Sequence, residues 1–147
     1  MFSNILVPCD TSYGSDDWLK PTISTALDIA DKYDSHLHFL TVVPDNLMKG
    51  YYPDIYETTV VVDVQKRLKS IVTECVGDPD RVKVFVRKGG ICSEIINAAR
   101  ELPADLIVMA SHGPLLRDYL LGSNATHVAL HVPCSVLILR PELAKQA

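Results

Sequence analysis

The chain has 147 residues, of which 48% are hydrophobic and 22% charged, and it carries a net charge of −4 at pH 7. This length allows one domain whose core folds without a disulfide or a metal ion. The mildly acidic balance argues against binding to nucleic acid, and no apolar run reaches the roughly 20 residues of a membrane span. The first residues also lack the basic start and long apolar run of a secretory signal, so we expect a cytoplasmic protein.

The first third of the chain predicts two strands and a helix. Residues Asn4–Pro8 form a short apolar run that is typical of a buried strand. Apolar residues then recur at helical spacing from Trp18 onward, and Pro21 indicates that the regular helix begins close to Lys20. The run Leu37–Val43 is a second strand. His36 and His38, which alternate along this strand, are interpreted as edge or surface residues.

An irregular stretch precedes the second predicted helix. Residues 45–59 contain three tyrosines, Tyr51, Tyr52 and Tyr56, which could line a lid over a bound base, form a partner surface or belong to a variable loop. A 3.6-residue period then predicts a helix from Val60 to Cys75. Alternating valines follow it and predict a third strand at Val82–Val86.

The last third repeats the alternation of helix and strand. A third helix follows Gly89-Gly90, and Leu106–Ala110 is the most apolar strand, which we expect at the centre of the sheet. A loop over residues 111–121 leads to a fourth helix that begins near Ser123, and Ser135–Leu139 is the fifth strand.

Continuous apolar strands that alternate with helices indicate parallel strands covered on both faces. The predicted fold is therefore a single α/β domain over residues 1–147, with a doubly wound, five-stranded parallel sheet and helices on both faces. Ligands of such sheets bind beyond the carboxyl ends of the strands, where the strand order reverses. The loops after Val7, Val42, Val86 and Ala110 are thus the candidate ligand loops.

The loop before the fourth helix has the composition of a phosphate cradle. Gly113 and Gly122 let backbone N–H groups approach an anion, and Ser123 or Asn124 could donate at the helix N-terminus. The alternative is that Ser123 is simply the N-cap of this helix. The sequence contains neither a Walker loop nor G-x-G-x-x-G, so that neither a Walker-type NTPase nor a dinucleotide dehydrogenase is indicated.

The residues that could hold a metal do not form a recognisable pattern. The four cysteines are widely spaced, and Cys75 and Cys92 fall on apolar helical faces, where buried thiols are expected. His127 and His131 are four apart on the predicted fourth helix, but no third ligand lies near them in sequence. We therefore predict no metal site.

Four segments taken together carry a resemblance to a known family. They read ILVPCD at residues 5–10, LIVMASHG at 106–113, LLGSNA at 120–125 and VPCSVLILR at 132–140. The sequence resembles the universal stress protein family over essentially its whole length, and it is most similar to the small enterobacterial paralogues. The resemblance implies a five-stranded parallel sheet and a phosphate pattern G-x2-G-x9-G-[ST] in the members that bind ATP. Here Ala110 replaces the first glycine and the long spacer has eight residues.

The resemblance also assigns site residues for ATP, with or without Mg²⁺. It places Pro8, Cys9 and Asp10 beside the nucleoside, with Asp10 near the ribose. The backbone of Val42 would bind adenine, and Met109 and Ala110 would pass beneath the nucleoside. The residues implied around the phosphates are His112, Gly113, Gly122, Ser123 and Asn124. For Asp10 the alternative is an N-cap or Asx-turn before the first helix, and for His112 it is a plain loop residue.

The functional prediction is an ATP- or AMP-binding protein of stress response or regulation with little or no turnover. No catalytic residue is assigned, because no nucleophile and base stand together in a recognisable pattern. The altered glycine pattern leaves open a dimeric interaction module that binds no nucleotide. An adenylating ligase is disfavoured, since residues 9–12 read CDTS rather than a Ser-Gly-Gly loop. By resemblance we expect a homodimer that pairs along residues 135–139.

Overall fold

The computed structural model describes residues 1–11, 16–44, 53–111 and 122–140, and five strands alternate with four helices over these ranges. The strands are β1 (Asn4–Pro8), β2 (His36–Val43), β3 (Val82–Lys88), β4 (Leu106–Ala110) and β5 (Ser135–Leu139). The helices are α1 (Asp16–Tyr33), α2 (Pro53–Cys75), α3 (Ile91–Glu101) and α4 (Ser123–His131).

The five strands form one parallel sheet in the order β3-β2-β1-β4-β5. The centre is therefore β1, and the prediction that Leu106–Ala110 is central was wrong by one position. β4 lies between β1 and β5, and apolar layers on both faces of the sheet bury its side chains, which explains its apolar sequence. The strand order reverses between β1 and β4, so that a crevice is expected at the carboxyl ends of these two strands.

Two apolar layers cover the sheet, one on each face. The layer under α1 and α2 contains the fully buried Ile23, Phe39 and Leu68. The layer under α3 and α4 contains Ile107 and Val128, also fully buried. These layers confirm the predicted doubly wound α/β fold. Among the described residues, no helix is long and apolar enough to cross a membrane.

Two helices begin earlier than the sequence predicted, and a proline is involved in both. α1 starts at Asp16 rather than near Lys20, and Pro21 lies inside it. The missing N–H of Pro21 removes a single hydrogen bond of the helix. Leu19, in the turn before it, is only 2% exposed, so the burial of this turn stabilises the helix by more than the lost bond would have done. α2 starts at Pro53, where a missing N–H costs nothing because the first helical N–H groups have no partner within the helix.

The earlier start of α2 also changes the prediction for the tyrosine-rich stretch. Residues 53–59, predicted to be irregular, belong to the helix, and this part of the prediction was wrong. Tyr56 is therefore a helical residue. Tyr51 and Tyr52 lie outside the described residues, so their assignment to a lid, a partner surface or a loop stays a prediction.

The burial of three polar side chains differs from expectation. His38 is 5% exposed, because β2 is an interior strand of the sheet, whereas His36 at the start of that strand is exposed. Cys75 and Cys92 are only partly buried. The helical period correctly predicted that both cysteines lie on the apolar faces of their helices. Both are near a helix end, however, where the apolar layer does not cover them completely.

Candidate functional site

A cavity of about 420 Å³ opens at the carboxyl ends of β1, β2 and β4, within the size range of small-molecule sites. Its origin is visible in the strand pairing. β1 and β4 pair only at Ile5–Leu106 and Leu6–Ile107, so the two strands separate toward their carboxyl ends. The described residues that line the cavity are Pro8, Cys9, Asp10, Thr11, Trp18, Leu19, Thr22, Leu40, Thr41, Val42, Val43, Pro44, Val60, Val64, Ile91, Ile95, Met109, Ala110 and Asn124.

The backbone that leaves β1 is held by its neighbour β2. The N–H of Cys9 donates to the carbonyl of Leu40 at 2.7 Å, and the hydroxyl of Thr41 donates to the carbonyl of Cys9 at 3.1 Å. Thr41 is 5% exposed, so this second bond is shielded from water. The two bonds fix the direction in which the chain carries Asp10 to the rim of the cavity.

Cys9 contributes its backbone to the site rather than a reactive thiol. Its side chain packs into the layer under α1 and α2, and Sγ donates to the carbonyl of Val7 at 3.3 Å. Burial, with a smaller contribution from the negative charge of Asp10, raises the pKa of this thiol far above its ordinary value. A protonated, enclosed thiol is a poor nucleophile.

Asp10 lies at the exposed rim where β1 ends. It does not cap the first helix, because α1 begins six residues later, at Asp16. The N-cap alternative for Asp10 is therefore wrong. Its position places this residue beside the cavity.

The flanking strands supply apolar surface on both sides of β1. Val42 on β2 lines the cavity together with Met109 and Ala110 on β4. Met109 is 6% exposed and belongs to the layer under α3 and α4. A flat apolar group is accommodated well by such walls, because it needs few directed polar contacts.

The N-terminus of α4 stands at the opposite side of the crevice. Gly122 is the N-cap, with φ −60° and ψ 152°, and as a glycine it has no side chain of its own to cap the helix. The alternative that Ser123 is the N-cap is therefore wrong. Asn124 lines the cavity, whereas Gly122 and Ser123 are not among the described lining residues. His112 and Gly113 lie outside the described residues, so their predicted contacts with phosphate stay predictions.

A buried serine, which the sequence did not single out, links β4 to this helix. Ser111 is 4% exposed, and its hydroxyl oxygen accepts a hydrogen bond from the N–H of Gly122 at 2.9 Å. The recognisable part of the sequence was the glycine pattern around Ser111. The one sequence signal for Ser111 was its place directly after β4, at the start of the loop, where the chain leaves the sheet.

Asn124 is in turn held by α3. The thiol of Cys92 donates to Oδ1 of Asn124 at 3.3 Å. Partial burial raises the pKa of Cys92, so the thiol keeps its proton and remains a donor at neutral pH. With Oδ1 engaged, the amide group of Asn124 retains its two N–H donors for other acceptors.

The two histidines of α4 are arranged against each other rather than around a shared ligand. The rings of His127 and His131 stack with centroids 4.3 Å apart, and Nδ1 of His131 lies 2.8 Å from the carbonyl of His127. Across the residues that the structure describes, no three histidine, cysteine or acidic side chains form a group able to hold a metal.

Comparison with known proteins identifies the family. The model of the universal stress protein family matches residues 1–140. The chain belongs to this family. Over 112 residues it is 33% identical to Universal stress protein G of Shigella flexneri, an alignment that covers 73% of this chain and 79% of the relative. The predicted resemblance to this family and to its enterobacterial members is confirmed.

Solved structures of universal stress proteins share the fold. UspA from Lactobacillus plantarum superposes with a TM-score of 0.67 at 24% identity and covers 94% of this chain and 97% of its own. A universal stress protein solved in complex with cAMP superposes with a TM-score of 0.69 at 18% identity and covers 95% and 98%. These similarities support the α/β architecture.

Proposed function

We propose that this universal stress protein binds ATP in the cavity at the ends of β1, β2 and β4. One observation carries the proposal: the fold brings residues from distant parts of the sequence, predicted to surround a nucleotide, into a single cavity. These are Pro8, Cys9, Asp10, Val42, Met109, Ala110 and Asn124. The cavity lies at the reversal of strand order, where parallel sheets bind nucleotides.

Each part of ATP has a chemically suitable neighbour in this proposal. The apolar surface of Val42, Met109 and Ala110 suits the adenine ring. The carboxylate of Asp10 suits the ribose hydroxyls, which are hydrogen-bond donors. The N-terminus of α4 and the amide of Asn124 suit the phosphates, because helical N–H groups and the positive end of the helix dipole attract anions. Bound Mg²⁺ would supply charge neutralisation at the phosphates.

We further propose that ATP acts as a regulatory ligand in the cytoplasm rather than as a rapidly consumed substrate. Among the described lining residues the thiol of Cys9 is buried with a raised pKa and is unreactive, and no histidine, lysine or arginine stands there to activate a hydroxyl group or a water molecule. Turnover should therefore stay well below the usual enzyme range of about 1–10³ s⁻¹. A rate within that range, measured by phosphate release and retained by Ser123→Ala and by His112→Ala, would contradict this part of the proposal.

The direct test is to identify what the purified protein carries and binds. The protein is denatured, and the released small molecules are examined by mass spectrometry for ATP, ADP, AMP and cAMP. Titration calorimetry then compares ATP, adenosine and GTP. We expect ATP to bind more tightly than adenosine, and GTP to bind poorly. Absence of any adenine nucleotide in both experiments would overturn the proposal.

A second candidate function is an interaction module of the same fold that binds no nucleotide. The observations that favour it are Ala110, which places a methyl group at the position of the pattern's first glycine, and the eight-residue spacer after Gly113. A dimer through the edge strand β5 is compatible with either function. The same calorimetric experiment separates the two, since only the first function requires ATP to bind.

A further inference from the structure

Three elements meet at the side chain and backbone of Ser111. The residue follows β4 directly and is 4% exposed. Its N–H donates to the carbonyl of Leu139, the last residue of β5, at 2.8 Å. Its hydroxyl oxygen accepts the N–H of Gly122, the N-cap of α4, at 2.9 Å.

The bond between Ser111 and Gly122 closes a segment of the chain. The two residues flank residues 112–121, so this contact holds the end of β4 against the start of α4. The other polar group of Gly122 is held as well. Its carbonyl accepts both the N–H and the hydroxyl of Thr126, each at 3.0 Å. The start of α4 is therefore fixed from the strand side and from the helix side.

This arrangement decides which amides of α4 are available to an anion. The N–H of Gly122 is already used by the protein. The next N–H groups, those of Ser123 and Asn124, belong to the first helical turn and have no acceptor within the helix. Ser111 is not among the described residues that line the cavity, so it acts on a ligand only through the placement of these groups.

We propose that Ser111 is a positioning residue that holds the N-terminus of α4 where its amides receive the phosphates of the nucleotide. The inference rests on the proposed ATP site and adds the means by which that site is held in place. The nucleoside part of the site is built on β1 and β2 and on the end of β4. Loss of the Ser111 hydroxyl should thus weaken the binding of phosphate-bearing ligands and spare the binding of adenosine.

The test compares two buried serines: Ser111, at the carboxyl end of a strand, and Ser35, at the amino end of another. Ser111→Ala removes the acceptor of the Gly122 N–H. Ser35→Ala is the matched control, because Ser35 is 1% exposed and its hydroxyl donates to the carbonyl of Phe2, far from the cavity. Titration calorimetry measures the affinities of both variants and of the wild type for ATP and for adenosine, and thermal melting reports on the fold.

Both variants should melt at a lower temperature than the wild type. In Ser111→Ala the ratio of ATP affinity to adenosine affinity should fall about two- to tenfold, as expected for one lost hydrogen bond. In Ser35→Ala this ratio should stay unchanged. An unchanged ratio in Ser111→Ala would overturn the role of Ser111 while leaving the ATP site intact. A wild type that binds no ATP would overturn the proposed function, and the role of Ser111 with it.

Hydrogen exchange provides a second test that does not depend on the stability of a variant. The Gly122 amide of the wild-type protein should exchange slowly even without nucleotide, because Ser111 holds it. An exchange rate equal to that of an unstructured peptide would overturn the inference, whatever the behaviour of Ser111→Ala.

Discussion

At the scale of single residues, Gly122 is informative because its backbone does not require glycine. Its φ of −60° and ψ of 152° are accessible to any residue, and this is the usual conformation of an N-cap. Torsional strain therefore does not exclude a side chain at this position. In the proposed function, the space beside Gly122 belongs to the phosphates.

Gly122→Asp should accordingly abolish ATP binding without unfolding the protein. Aspartate is a favourable N-cap, so the melting temperature should stay the same or rise slightly. Two like charges about 4 Å apart near a protein surface repel by ~4 kcal/mol, which corresponds to a loss of more than a hundredfold in affinity. Calorimetry with ATP measures the loss, and circular dichroism checks the helix content.

Gly122→Asn is the matched control for charge. Asparagine has nearly the same size and also caps helices well, so it should reduce ATP affinity less than aspartate does. If ATP binds to Gly122→Asp as tightly as to the wild type, the phosphates do not approach this helix.

His38 makes the stability of the fold depend on pH. Burial lowers the pKa of this imidazole from 6.5, and the nearby positive charges of Lys83 and His36 lower it further. Its Nε2 lies 3.3 Å from Oδ1 of Asn4, while Nδ1 is buried without a hydrogen-bond partner among the described residues. The folded protein therefore disfavours the protonated ring, whereas the unfolded chain accepts the proton near pH 6.5.

The free energy of unfolding should decrease as the pH falls below about 6.5, because the unfolded state then binds more protons than the folded state. Denaturant titrations at pH 7.5 and pH 5.5 measure this decrease. His38→Gln should make it much smaller, whereas His36→Gln, which removes only the last-ranked of the three causes of the shift, should make it only slightly smaller. An equal decrease in His38→Gln and the wild type would exclude His38 as its source.

At the scale of elements, the turn between β3 and α3 depends on a glycine for its conformation. Gly89 has a φ of 137°, which side chains rarely adopt, and its N–H donates to the carbonyl of Val43 at 3.1 Å. A Cβ atom at Gly89 would also lie 3.3 Å from the side chain of Glu94. Gly90, the N-cap of α3, has an ordinary φ of −70°.

Gly89→Ala should lower the free energy of unfolding by about 1–3 kcal/mol, the cost of a strained backbone conformation. Gly90→Ala is the matched control and should change it by no more than about 0.5 kcal/mol, since alanine accepts its conformation and meets only ordinary contacts with Ser93. Urea titrations of both variants measure the difference. Equal effects of the two substitutions would contradict the role assigned to Gly89.

The elements that the sequence predicted well are those with a strong hydrophobic period. Ser135–Leu139 has the predicted bounds, and α3 and α4 begin where their glycines indicated. The helix starts at Asp16 and Pro53 were missed because a proline was taken as a boundary in one case and as part of a loop in the other. Local sequence cannot show that burial of the turn before Pro21 outweighs a lost hydrogen bond.

The parts of the candidate site that lie at the ends of strands could be predicted from the sequence. The hydrogen bonds that hold those parts in place could not. The ends of parallel strands must meet at one edge, so that the neighbourhood of Asp10, Val42 and Ala110 could be expected. The bonds of Thr41 and Ser111 could not be expected, because each joins residues far apart in the sequence through a hydroxyl group with many possible partners.

At the scale of the whole molecule, β5 is an edge strand with one side of its backbone unpaired by the sheet. Its apolar side chains, Val136 to Leu139, are only partly buried. Unprotected edges of this kind favour pairing with another strand. We therefore expect two copies of the chain to pair along β5 and form a symmetric dimer.

Replacing both Val136 and Ile138 by lysine should convert the dimer into monomers. Sedimentation at micromolar concentration measures the change, and circular dichroism confirms that the variant is folded. Val62→Lys is the control, because Val62 is an exposed apolar residue on α2. A wild-type protein that sediments as a monomer at this concentration would rule out the dimer.

The short ladder between β1 and β4 divides the sheet into two unequal parts. Strands β1 to β3 are paired over five and seven residues, whereas β1 and β4 share only two partners. The described cavity walls come from both parts, with Asp10 and Val42 on one side and Met109 and Asn124 on the other. A ligand bound there would contact both parts and so connect β1 and β4, the strand pair with the fewest partners. Binding there would therefore resist separation of the two parts of the sheet and make the bound protein mechanically stiffer than the free protein.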